Sequence, residues 1–203
     1  MIVWRALALS MAVLCGAASA GPAAAATGED PDWPCVQRLV PEIAPAMIWA
    51  GPPLDSIGLE SSPATEQLAG DLAARRVPLA KAEEHVDAFA ATLAPEQKDE
   101  QLTSLFARML EIINRDRTSI IQAIKKYTRG QRALAENITE KNERLSQLPA
   151  DQVLERDTLI AERDWDIRIY DDRRDALTYL CEQPVLLEQR AFALARTIAG
   201  HLE

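Results

Sequence analysis

The side chains best suited to catalysis or metal binding are two histidines and a run of aspartates, and neither set is spaced for it. His85 follows Glu83 and Glu84. A helical-bundle metal site built on Glu-x-x-His needs a glutamate three residues before the histidine, and Ala82 stands there. His201 falls at the end of the last predicted helix. Histidines so placed supply no catalytic triad, zinc site or haem ligand, and no C-x-x-C-H motif is present. Asp164, Asp166, Asp171, Asp172 and Asp175 suggest a hard-cation site. A calcium loop starting at Asp164 would need glycine at its sixth position, which is Ile169. Arg163, Arg168, Arg173 and Arg174 interleave with these acids, as on a solvated helix face. There is no glycine-rich phosphate loop and no G-x-S-x-G. No catalytic, cofactor or metal residues are therefore assigned, and the chain reads as non-enzymatic.

The cysteines carry a different chemistry. Residues 1–26 have the pattern of a secretory signal peptide: Arg5, the apolar run Ala6–Cys15, then small-residue cleavage options after Ala20 or Ala26. The run is too short to span a bilayer, and no other apolar run approaches that length. The expected location is periplasmic or secreted. Cleavage after Ala26 would remove Cys15 and leave Cys35 and Cys181, which an oxidising compartment would join as one disulfide. It would also leave 21 basic against 31 acidic residues, a net charge of −10. An acidic chain without basic clusters is a poor partner for nucleic acid.

The elements that must position these residues are helical. Residues 27–62 form an irregular arm with Pro31, Pro34, Pro41, Pro45, Pro52 and Pro53, too many for a regular helix or a central strand. The arm also holds Trp33, Val36, Ile43, Ile48 and Trp49, apolar surface that should drape over a helical body. Ser62 and Pro63 are an N-cap and first helical position. They predict a helix over 63–76, and Pro78 starts a second over 79–93. From Phe106 to Leu148 a seam with 3/4 spacing is apolar at ten of its thirteen positions. The exceptions are Arg117, Gln131 and Lys141. This predicts one helix over 96–148, a turn at Pro149-Ala150-Asp151, and a second long helix over 151–201 that Pro184 kinks or restarts. Its predicted seam is Val153, Ile160, Ile167, Tyr170, Leu177 and Cys181. The fold class is all-α: a long antiparallel helical hairpin (a coiled-coil stalk) with a small helical head and a Pro/Trp-rich irregular N-terminal arm. Residues 125–148 carry six basic against three acidic residues, and 151–175 carry five against nine, so the two limbs are of opposite sign where they pair.

A second stripe on the last helix is the feature closest to function. At 100° per residue Trp165 points about 160° away from Ile167. Leu154, Ala161, Ile169, Ala176 and Leu180 extend the same side. A limb of a two-helix stalk has one dry face, so a second stripe implies self-association, cover by the arm, or a protein partner in the cell envelope. Leu154, Trp165 and Ile169, with Trp33 and Trp49 from the arm, are the candidate partner-binding residues. Leu93-Ala94-Pro95-Glu96-Gln97 resembles the L-T-x-x-Q motif of small periplasmic helical chaperones, with Ala94 at the threonine position; the match covers five residues and assigns no family. The sequence thus points to an exported interaction protein: a scaffold, assembly factor or chaperone-like binder. The alternative is a helical-bundle module that binds a small ligand or metal, with Trp33 and Trp49 lining an apolar pocket.

Overall fold

Among the described residues of the computed structural model, four α-helices and two short 3-10 turns, at Pro45–Met47 and Leu54–Ser56, make up the regular structure. It describes residues 30–56 and 62–203. The predicted signal peptide lies outside the described residues, as do 27–29 and 57–61 of the predicted arm. Among the described residues there is no strand.

Helix α1 spans Pro63–Ala73, shorter than the predicted 63–76. Ser62 caps it as its sequence implies, its Oγ accepting the Thr65 backbone N–H at 3.1 Å. Helix α2 spans Leu79–Thr92, with Pro78 as its N-cap. Helix α3 runs Pro95–Gln147 without interruption, and α4 runs Val153–Ala199. At 1.5 Å per residue α3 is about 80 Å long.

The two long helices pack against each other. Their polar cross-links pair residues in opposite chain order. Arg117 Nε donates to the Pro184 carbonyl, Tyr127 Oη to that of Arg173 and Gln131 Nε2 to that of Tyr170, while Lys141 meets Asp166. Every position of the seam read from Phe106 to Leu148 is buried or half-buried. The turn between the helices is closed by Arg156, whose Nη1 donates to the carbonyls of Leu145 and Leu148, both at 2.9 Å. These belong to the last turn of α3, which has no intrahelical donors left for them.

The α4 seam differs from the predicted one. Val153 is 60% exposed and Ile167 is also on the outside, while Leu159 is buried instead. The residues that face α3 over this stretch are Arg156, Leu159, Arg163, Asp166 and Tyr170, in 3/4 spacing. Three of the five are charged, so an apolar count passes over them. Each charge has a task on α3: Arg156 closes the turn, Arg163 reaches Asn142 and Asp166 pairs with Lys141 at 2.7 Å.

Pro184 does not interrupt α4. It lacks the N–H that would pair with the Leu180 carbonyl. Pro184 and Leu187 are buried against the rest of the fold, and Arg117 Nε donates to the Pro184 carbonyl. Tertiary packing outweighs the local cost.

One core cluster gathers the proximal parts of all four helices. It takes Leu72 from α1, Val86 from α2, residues 102–113 of α3 and residues 187–198 of α4, with Ile43 and Ile48 of the arm laid over it. Arg190 is buried among these apolar side chains. Its Nε donates to the Leu72 carbonyl at 2.5 Å and its Nη1 to that of Val77 at 2.9 Å. It thus satisfies carbonyls where α1 ends, and the negative end of the α1 dipole favours the cation. Burial pushes its pKa below the ordinary value.

Candidate interaction surface

The arm is stapled, pinned and capped. Cys35 and Cys181 form a disulfide, with Cα atoms 5.6 Å apart and a sequence separation of 146. Upstream, Asp30 meets Lys125 at 2.7 Å, and Asp32 meets Arg129 at 2.7 Å and Arg132 at 3.0 Å. The three cations stand at i, i+4 and i+7 on α3, one face of one helix. Downstream, the Asn114 amide accepts from the Ile43 N–H at 2.9 Å and donates to the Ile43 carbonyl at 3.1 Å. Arg117 Nη1 donates to the Val40 carbonyl, and Gln37 Nε2 to that of Cys181. Burial holds the Arg117 guanidinium below its ordinary pKa, and Glu188 at 3.5 Å acts in the opposite direction. Arg117 thereby joins three elements, α3, α4 and the arm. Its only sign in the sequence is that it breaks an otherwise apolar run.

Asp30 and Asp32 are held below the ordinary aspartate pKa, first by hydrogen bonds to Lys125 and Arg129 respectively. A carboxylate depressed in the folded state stabilises it above the ordinary value. That contribution is lost as the pH falls through the depressed value. The upstream arm is therefore expected to stay docked at neutral pH and to loosen only below about pH 4. The chemical shift of the Trp33 indole N–H during an acid titration reports this. Release near the histidine range would contradict the assignment to these two carboxylates.

The five candidate residues divide into two groups that do not meet. Trp33 and Trp49 are used within the arm. The Trp33 indole N–H donates to the Gln37 carbonyl and that of Trp49 to the Pro52 carbonyl, both at 2.8 Å. The Trp49 ring stacks on Phe106, with centroids 4.1 Å apart and planes 8° from parallel. Trp33 lines a cavity of about 220 Å³ with Arg117 and Pro184, and Trp49 does not join it there. The two tryptophans thus do not form a common pocket. A larger cavity, about 550 Å³, opens beside the disulfide between the arm and α4, walled by Val36, Leu177, Val185 and Leu186.

The other group stays on the outside of α4. Trp165 is 61% exposed and Leu154 82%, with Ala161 and Ala176 exposed between and beyond them; Ile169 and Leu180 are half-buried. Among the described residues the arm runs over Lys125, Arg129, Arg132 and the disulfide, so it does not cover this stripe. Over the same stretch the contact between α3 and α4 includes Lys141–Asp166, Gln131–Tyr170 and Arg163–Asn142. On the α4 side the inner face is therefore largely polar over this stretch, while Leu154 and Trp165 stand exposed on the outer face.

One of the two histidines and four of the five aspartates are engaged by neighbouring side chains. His201 Nε2 lies 2.8 Å from Asp87 Oδ1. Asp164 pairs with Arg163, Asp166 with Lys141, and Asp171 and Asp175 with Arg174. Among the described residues no group of three or more His, Cys, Asp or Glu side chains is placed to hold a metal ion. No helix there is long and apolar enough to cross a membrane. In the five-residue stretch that resembles the chaperone motif, Leu93 caps the end of α2 and packs on the core, and Ala94 is the N-cap of α3. Comparison with protein-family models, curated proteins and solved structures finds no match for the chain.

Proposed function

We propose that this is an exported, non-enzymatic interaction protein, a scaffold, assembly factor or chaperone-like binder, in the periplasm or outside the cell. In this reading α3 and α4 form an antiparallel coiled-coil hairpin that projects from the small helical core, and the outer stripe of α4 receives a protein partner. The observation that carries it is the exposure of Trp165 and Leu154 on the side of α4 away from its seam. A chain that folds alone has no use for a tryptophan and a leucine left in water along one line. Tryptophan is also the residue type most enriched among interface hot spots. The disulfide supports the oxidising compartment.

A photo-crosslinking residue at position 165, in protein expressed in its native envelope, tests this. The expected result is a discrete protein adduct, lost when Leu154 and Ile169 are replaced by glutamate. No adduct at 165, or one that survives the double replacement, removes the stripe as the binding face. The disulfide-side cavity favours a second reading, a module for a small apolar ligand. Ligand retained through purification and seen by native mass spectrometry would move the function there.

A further inference from the structure

The outer stripe of α4 has the same order of side-chain sizes in either direction. Leu154 and Leu180 are equidistant from Ile167, as are Thr158 and Ala176, and Trp165 and Ile169. In these three pairs large faces large and small faces small, and the largest pair is nearest the centre. We propose that this stripe binds a second copy of this chain, packed antiparallel, with the two-fold axis on the stripe side of α4 at the level of residues 167–168. The inference rests on the reading of the α4 stripe as the interaction face and names what covers it. A closed two-fold interface is isologous, so a helix that pairs with itself across such an axis must be self-complementary when reversed.

Charge agrees with this direction. Reversal about Ile167 sets Glu162 level with Asp172 and one residue from Arg173 of the second copy. Glu162 and Arg173 flank the stripe on the same side, about 60° and 80° round from Trp165, and by symmetry they meet twice. Arg173 also lays its aliphatic stem over the exposed Ala161 of that copy. Arg168 falls at the axis, between Asp164 and Asp172 of the second copy. Arg168 and Arg173 are exposed and enter none of the ion pairs formed among the described residues. A parallel pairing in register would instead set each residue level with its own copy, Arg168 with Arg168 and Glu162 with Glu162, like charge on like. The geometry also provides the apolar layer that the polar α3–α4 seam lacks here. Two hairpins joined through α4 make a four-helix arrangement with Trp165, Ile169, Leu154 and Leu180 inside it.

Sedimentation equilibrium of the disulfide-intact chain over a wide concentration range tests the stoichiometry. Twice the chain mass is expected, returning to the single chain mass in Trp165→Glu with helical circular dichroism unchanged. Single cysteines test the register, since Cys35 and Cys181 are tied up with each other. Arg168→Cys, at the axis, should link to its own copy through a short bis-maleimide. Leu154→Cys should not, because its two copies would lie about 39 Å apart along the helices. A single chain mass at every concentration, or self-linking at 154 instead of 168, overturns the proposal. If the chain is monomeric but position 165 still forms an adduct with another protein, the second copy is wrong and the interaction face stands. If it is monomeric and forms no adduct, both fall.

Discussion

Phe106→Ala is expected to lower the unfolding free energy by about 3–5 kcal/mol, the range for removing a fully buried phenylalanine. Phe106 is 0% exposed and central to the one core cluster. It also supports the arm, because Trp49 stacks on its face at 4.1 Å. Loss of the ring removes an aromatic pair contributing about 0.5–1.5 kcal/mol beyond its buried area. The site cannot easily collapse to fill the space. Gly51 lies so close to the Trp49 ring that a Cβ there would meet it at 2.4 Å, so the arm is already seated tightly. A domain of this kind has about 5–15 kcal/mol in total. The variant should therefore be folded but marginal. Urea denaturation checks it: the midpoint should fall with the slope unchanged, and Trp49 emission should shift to the red in the folded baseline. A cost under about 1 kcal/mol would place Phe106 outside the structural centre.

Both long helices were visible in the sequence, for unequal reasons. α3 declares its inner face because ten of thirteen seam residues are apolar, and all thirteen are buried or half-buried. α4 hides its own. Its seam passes through Arg156, Arg163 and Asp166, each paired with a specific group on α3 or the turn, and apolar spacing instead selects Val153, Ile160 and Ile167. Specific polar pairs leave no periodic trace. Trp165 is nonetheless exposed, because at 100° per residue it also lies about 160° from Arg163 of the actual seam.

The arm was legible in its need for burial but not in its route. Proline content excluded a helix, and the cysteine count selected the Cys35–Cys181 link. What steers the rest is a set of single long-range contacts: Lys125, Arg129 and Arg132 holding two aspartates, Asn114 clasping the Ile43 backbone, and Arg117 reaching Val40. None has a local signature. By residue type alone the arm tryptophans resemble Trp165. Folding separates them: Trp49 is spent on Phe106 and Trp33 on its own loop, while Trp165 has no core to enter.

Breaking the Cys35–Cys181 disulfide is expected to destabilise the fold by about 2–5 kcal/mol and to leave the arm where it is. The two parts of this result have different causes. The bond closes a loop of 146 residues, for which chain entropy gives an upper figure of about 5 kcal/mol. That term acts on the unfolded chain, which gains freedom when the link is cut. The docked arm gains much less, because its ends are held independently. Asp30 and Asp32 sit on three cations upstream; Ile43 is clasped by Asn114 and Trp49 lies on Phe106 downstream. Cys35→Ser with Cys181→Ser should therefore keep the Trp33 and Trp49 environments in the folded baseline while the thermal midpoint falls. Arm release at neutral pH would show that the ion pairs are too weak without the covalent tie, as exposed pairs worth about 0–1 kcal/mol each can be. The stripe on α4 provides the internal control. It lies on the side of α4 away from Pro34–Gln37, so binding through Trp165 should survive the double replacement at temperatures where the chain remains folded.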